Sequence, residues 1–192
     1  MPTFVSHAVV GLAAGVAVAE KKMPARFWVL SAVCPTLPDL DVGAFALGIP
    51  YSDPLGHRGL SHSLCCALVI GLLVTLVFFR KHKPSSGRFW WLSAYFFLIT
   101  ASHGLLDAMT NGGLGVALLA PFDNSRIFFS FRPLQVSPIG IRRFFSPWGL
   151  AVAGSEFVWV WIPAILLAAA ARFARLIFRH GSAADTGEAR LE

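Results

Sequence analysis

The sequence predicts an all-α, polytopic membrane helical bundle of about five spans, one of them broken between Pro35 and Asp41, with a long outer loop. Three observations predict it. Apolar residues make up 56% of the chain and charged ones only 14%, against roughly a quarter charged in soluble domains. The apolar residues fall in runs close to the ~20 residues that cross a hydrocarbon core. The basic residues punctuate those runs instead of forming a stripe, so the net charge of +6 marks membrane loops and no nucleic-acid partner. High apolarity with little charge also excludes a disordered chain.

The first span, 3–19, is short, and its Gly11-x-x-x-Gly15 lets another helix approach closely. Lys21, Lys22 and Arg26 follow this run rather than precede it, so it is expected to stay as a helix and not be cleaved as a signal peptide. The second span, 27–47, meets Pro35 and Pro38 too early for a full crossing at 1.5 Å per residue. A helix unwinding into extended backbone around Pro38-Asp39-Leu40-Asp41 is expected, facing protein or a wet cavity. Spans three and four cover 60–79 and 89–109, and span five, 150–171, carries Glu156 and Pro163. These form one domain over 1–179, and the small, polar and charged residues 180–192 read as a disordered cytoplasmic tail. Cys34, Cys65 and Cys66 read as small apolar helix residues, since adjacent helical cysteines are badly placed to bridge each other.

With five spans, loops 20–26 and 80–88 and the tail share one side and hold eleven of the sixteen basic residues, all four lysines included. That side is expected to be cytoplasmic, with the N-terminus outside and the C-terminus inside. His7, Asp39, Asp41, His57, His62, His103, Asp107 and Glu156 all fall at the opposite end, whereas His82 and His180 lie in the basic segments. Ionisable groups in a bilayer cost at least ~2.5 kcal/mol each, so their sorting to one side points to function.

Spacing refines this. His103-x-x-x-Asp107 projects from one helical face. His57 and His62, five apart, suit a loop followed by a first turn that Ser61 or Ser63 can cap. Imidazole with carboxylate suits zinc, and also manganese or iron. His7, Asp39, Asp41, His57, His62, His103 and Asp107 exceed what one tetrahedral ion needs, so two or more ions are expected, with one or two of these residues orienting the ligands. Glu156 reads either as a ligand or base there, or as the partner of an interfacial arginine.

Loop 110–149 opens with Thr110-Asn111-Gly112-Gly113 and mixes aromatics with Arg126, Arg132, Arg142 and Arg143. It reads as a re-entrant membrane-surface loop, or as an arginine-lined mouth for an anionic headgroup. Arg58, inside the histidine motif, is the arginine best placed for a phosphoryl group.

The stretches Met1-Pro2-Thr3 through His7, Pro38-Asp39-Leu40-Asp41, Gly56-His57-Arg58-Gly59-Leu60-Ser61-His62-Ser63 and Ser102-His103-Gly104-Leu105-Leu106-Asp107 resemble the YdjM/YbcI family of bacterial inner-membrane proteins. The likeness extends through Thr110-Asn111-Gly112-Gly113 to Ser155-Glu156 and Val158-Trp159-Val160-Trp161-Ile162-Pro163, and is nearest the YbcI branch. It implies an inner-membrane location, bound metal and hydrolysis, with no substrate implied. A more distant similarity runs to zinc phospholipase C proteins, which gather His and Asp from helices around several zincs.

The expectation is a metal-dependent hydrolase embedded in the lipid bilayer. It would act on a phosphoester of a lipid or lipid-linked substrate at the outer-leaflet side, through water activated by metal. The alternative is a metal-binding or proton-coupled transporter, which calls for ionisable residues through the membrane depth and an internal repeat. Neither His-Glu-x-x-His nor Gly-x-Ser-x-Gly occurs.

Overall fold

A computed structural model describes residues 1–19, 22–138 and 145–188, with side chains to residue 177. Among the described residues six α-helices follow in order: α1 (Phe4–Val18), α2 (Ala25–Val33), α3 (Leu64–Phe78), α4 (Gly87–Ala108), α5 (Pro147–Glu156) and α6 (Ile162–Glu188). Among the described residues there is no strand, only two isolated bridges, Thr110 with Leu134 and Val116 with Ile127. Three helical stretches among the described residues are long and apolar enough to cross a membrane: Ala25–Leu47, Gly87–Ala108 and Pro147–Ile177. α1 and α3 are apolar but shorter, at 15 residues each.

The broken second span is present, with a different break from the expected one. α2 passes at Cys34 directly into a 3-10 helix through Leu47, not into extended backbone. The fixed φ of Pro35 and Pro38 suits a 3-10 turn, while their missing N–H groups cannot serve an α-helical ladder. Gly48 ends it in the left-handed region at φ 75°, where glycine bears no Cβ penalty.

α3 begins at Leu64, later than residue 60, because Ser63 caps it by accepting the Cys66 N–H at 3.0 Å. Residues Leu60–His62 form a separate 3-10 turn. The fifth span is wider than 150–171: α5 runs through a π-helical turn, Phe157–Trp161, into α6. Pro163 has no N–H to offer the preceding turn, which opens instead of breaking. α6 continues to Glu188, past residue 180 where the sequence predicts disorder, and no proline interrupts it after 163.

α3 packs most extensively on α4, and α1 on α2 and α6. At Gly11 a side chain would overlap the Ser31 carbonyl, so this glycine sets the close approach of α1 to α2. Phe27, Cys34, Val74, Phe79, Leu92, Tyr95, Phe96 and Ile99 form the apolar core. Most of it lies toward the lysine-bearing end, and the histidines and carboxylates occupy the other. Outward-facing Leu68, Leu73, Leu76, Ile165, Leu166 and Leu167 are exposed, as lipid-facing side chains must be.

The long loop is folded, not spread on a surface. Val116, Ala117, Leu118, Ala120 and Leu134 are buried in it. Backbone bonds Leu64 N–H to Leu118 and Ala117 N–H to Arg58 lay it against the histidine motif. Arg142, Arg143 and Phe144 lie outside the described residues.

Candidate metal centre

Four segments bring the predicted residues to one end of the bundle. α1 contributes His7, the 3-10 helix Asp39 and Asp41, and the turn before α3 His57, Arg58 and His62; α4 contributes His103 and Asp107. Two overlapping groups have ligand atoms within 4.8 Å of one another: Asp39, His62, His103 and Asp107, and Asp39, Asp41, His57 and His62.

The first group is the more telling. His103 Nδ1 donates to the Pro35 carbonyl at 2.8 Å, which turns its Nε2 lone pair inward. His62 Nδ1 faces Asp41 Oδ2 at 3.0 Å, which aims its Nε2 at the same space. The two Nε2 atoms stand 2.9 Å apart. Asp39 Oδ1 lies 3.3 Å from His103 Nε2 and 3.5 Å from His62 Nε2, and Asp107 Oδ2 lies 3.5 Å from His62 Nε2. Neither oxygen of Asp39 has a hydrogen-bond partner, although both are buried. The partnerless Asp39 carboxylate, and an Asp107 carboxylate with one oxygen left over by its pairing with Arg58, fit a divalent cation beside facing imidazole lone pairs in both donor chemistry and charge.

Asp41 is arranged differently. It accepts from His57 Nδ1 at 2.6 Å, from the Arg58 N–H at 3.2 Å and from the Ser61 hydroxyl, and it pairs with His62 Nδ1, which also meets the Ser61 oxygen. Its lone pairs are taken, and it fixes the rings of two histidines at once. His7 stacks on His103 with ring centroids 3.8 Å apart and places Nε2 3.7 Å from Asp107 Oδ1. Neither nitrogen of His7 has a hydrogen-bond partner.

Arg58 does not line an open mouth. It is fully buried, at φ 63°, a conformation rare for a side chain of its size. Its Nε pairs with Asp107 Oδ2 at 2.9 Å, and its other nitrogens donate to the Gly112 carbonyl and the Thr110 hydroxyl, each at 3.0 Å. Arg126 donates to the carbonyls of His57, Tyr51 and Asp53, fastening the loop over the motif. Burial lowers its pKa, and burial likewise raises that of the Tyr51 phenol beside it. Arg132, over the Phe128 ring, stays exposed.

Glu156 is buried, and the hydrogen bonds on its carboxylate come from α1 and not from the histidines. It accepts from the Thr3 N–H at 2.6 Å and from the Thr3 and Ser6 hydroxyls at 2.5 Å each. It therefore caps α1 from another helix, one turn before His7. Sequence reasoning did not single out Ser6 or Ser61 as carboxylate partners, nor Thr110 and the Pro35 carbonyl. Adjacency was the available signal for two of them, since Ser6 precedes His7 and Ser61 precedes His62.

No solved structure matches the chain. It is 37% identical over 167 residues to the Inner membrane protein YbcI of Escherichia coli (strain K12), covering 87% of this chain and 95% of that one. A family model described as YdjM inner membrane protein matches residues 1–179, which takes in every residue of the centre. The chain thus belongs to the YdjM family of inner membrane proteins.

Proposed function

We propose that this chain is a metal-dependent hydrolase embedded in the inner membrane, with its centre held by His62, His103, Asp39 and Asp107 and bordered by His7. One observation carries the reading: two imidazole Nε2 atoms face each other at 2.9 Å beside the buried Asp39 carboxylate, whose oxygens have no hydrogen-bond partner, and the Asp107 carboxylate, which Arg58 pairs on one oxygen only. Neutral imidazoles would set lone pair against lone pair, and buried carboxylates would repel each other; a cation among them removes both penalties. The mixed donor set suits zinc, with manganese and iron as competitors. A bound ion of this kind supplies Lewis-acid activation of water at neutral pH.

The chain's own residues do the rest. Asp41 holds His57 and His62 in the tautomers that leave their Nε2 atoms free. Arg58 holds Asp107 and neutralises part of the carboxylate charge, so its role is positioning rather than gripping phosphate. Glu156 positions α1, and through it His7. Because Asp41 is already saturated by four partners, the group around His57 serves first as the frame of the main site, and a second ion there would displace some of them.

A phosphoester of a lipid or lipid-linked molecule is the favoured substrate. Exposed Phe122, Phe131, Phe145 and Trp148 ring the same end of the bundle, as aromatic side chains do at headgroup level. Exposed Arg132 is the described loop arginine placed to meet an anionic group there. A carrier would spread its ionisable groups through the membrane depth; here they gather at one end.

Metal analysis of the detergent-purified protein tests the centre, with wild type set against His62→Ala and Asp107→Ala. Stoichiometric metal in the wild type and its loss from both variants is expected, while unchanged metal in both would sink the shared site. The same samples are then offered phospholipid and polyprenyl phosphate. Turnover that follows metal content supports the hydrolase, and metal uptake into proteoliposomes without turnover would replace it with the carrier.

A further inference from the structure

Away from the centre, α1 and α6 leave an apolar groove between them on the outside of the bundle. Val9, Leu12, Ala13 and Val16 form one wall, and Ile165, Ala168 and Ala169 the other; its volume is about 410 Å³. That lies within the range of small-molecule pockets. The groove owes its room to the alanines, where leucines would fill it.

One end is not apolar. Arg172 closes the groove and is exposed. One turn on, Arg175 donates to the Val16 and Ala19 carbonyls, occupying the negative end of the α1 dipole. Arg172 is thus left over at the lysine-bearing end, where Lys22 and Arg26 also lie and no described carboxylate faces it. An apolar trough ending in an uncommitted guanidinium has the polarity of a phospholipid, with chain along the groove and phosphate at the arginine.

We propose that this groove is a binding site for one anionic phospholipid of the leaflet at the lysine-bearing end. The acyl chain lies between α1 and α6, and the phosphate is held by Arg172. The lipid fills the gap between the first and last helices, which hold each other elsewhere through Arg175, while α5 holds α1 through Glu156. This site is separate from the metal centre and does not depend on hydrolysis.

Native mass spectrometry of the full-length protein tests it, using phosphatidylglycerol and phosphatidylcholine with the same acyl chains. Wild type is expected to retain one phosphatidylglycerol in preference to phosphatidylcholine. Arg172→Gln should cut that preference about fivefold, the effect of one basic residue near an anionic surface. Ala169→Phe, at an exposed position in the wall, should reduce retention of both lipids; melting temperature and helical circular dichroism confirm that each variant is folded. An unchanged lipid preference in Arg172→Gln overturns the proposal. So does a dimer mass that Ala169→Phe abolishes, since the groove would then seat a second copy of the chain.

Discussion

Asp41 shows how a carboxylate in a metal centre can matter without being a ligand. Four partners converge on its two oxygens, from His57, Arg58, Ser61 and His62. Asp41→Asn keeps the size but turns an NH₂ toward at least one ring N–H, so one histidine loses its tautomer or its orientation. Metal affinity is expected to fall about 10–100-fold, the usual cost of losing an outer partner. Chelator competition measures it, and an affinity equal to wild type would make Asp41 a bystander. Arg58 gives a second test at this scale. Arg58→Met leaves Asp107 as an uncompensated buried charge in the metal-free protein, which costs about 3–5 kcal/mol. The loss should shrink when metal is supplied, because the ion takes over neutralisation of Asp107. Denaturation in detergent with and without chelator reads both values, and equal losses in the two conditions would remove the electrostatic link between Arg58 and the centre.

Among the helices, glycine positions separate packing from propensity. Gly11→Ala drives a methyl into the Ser31 carbonyl, and α1 must move away from α2. A loss of about 1–3 kcal/mol is expected, as for other overpacked contacts. Gly154, within α5, has no atom within 4 Å of where a Cβ would stand, so Gly154→Ala is expected to stabilise by up to about 1 kcal/mol through helix propensity. Comparison of the two melting temperatures checks the pair; equal effects would mean that Gly11 is not a contact point. The same contrast shows what could be read from the sequence. Gly11-x-x-x-Gly15 signalled a close approach, but only the three-dimensional partner shows that Gly11 meets backbone while Gly15 meets the Trp28 and Tyr95 side chains. Pro35 and Pro38 signalled the break in the second span, because proline removes donors wherever it sits. They did not signal that the chain would tighten into a 3-10 helix, since proline's φ suits several conformations.

For the whole molecule, the division between a polar and an apolar end was legible because it follows from counting spans. Alternating helices put His7, Asp39, His62 and His103 at one level, and the core around Phe27 and Phe96 toward the other. The roles of Arg58, Arg126 and Glu156 were not legible, since each depends on contacts across long stretches of chain, such as Glu156 with Thr3. The folding of loop 110–138 onto the histidine motif was hidden for the same reason. Which end faces the cytoplasm follows from charge and not from packing. Lys22, Arg80, Lys81, Lys83 and Arg88 lie at the end opposite the centre, and each lysine or arginine in a short loop resists translocation. Fluorescent-protein fusions after residue 179 are therefore expected to glow, because the fluorophore matures in the cytoplasm. Alkaline phosphatase inserted at 123–124, in an exposed turn of the loop, should be active only if that loop is exported. Phosphatase activity at the loop with fluorescence at the C-terminus places the metal centre at the outer face. The reverse pair would put its substrate in the cytoplasmic leaflet, and the lipid held by Arg172 in the outer one.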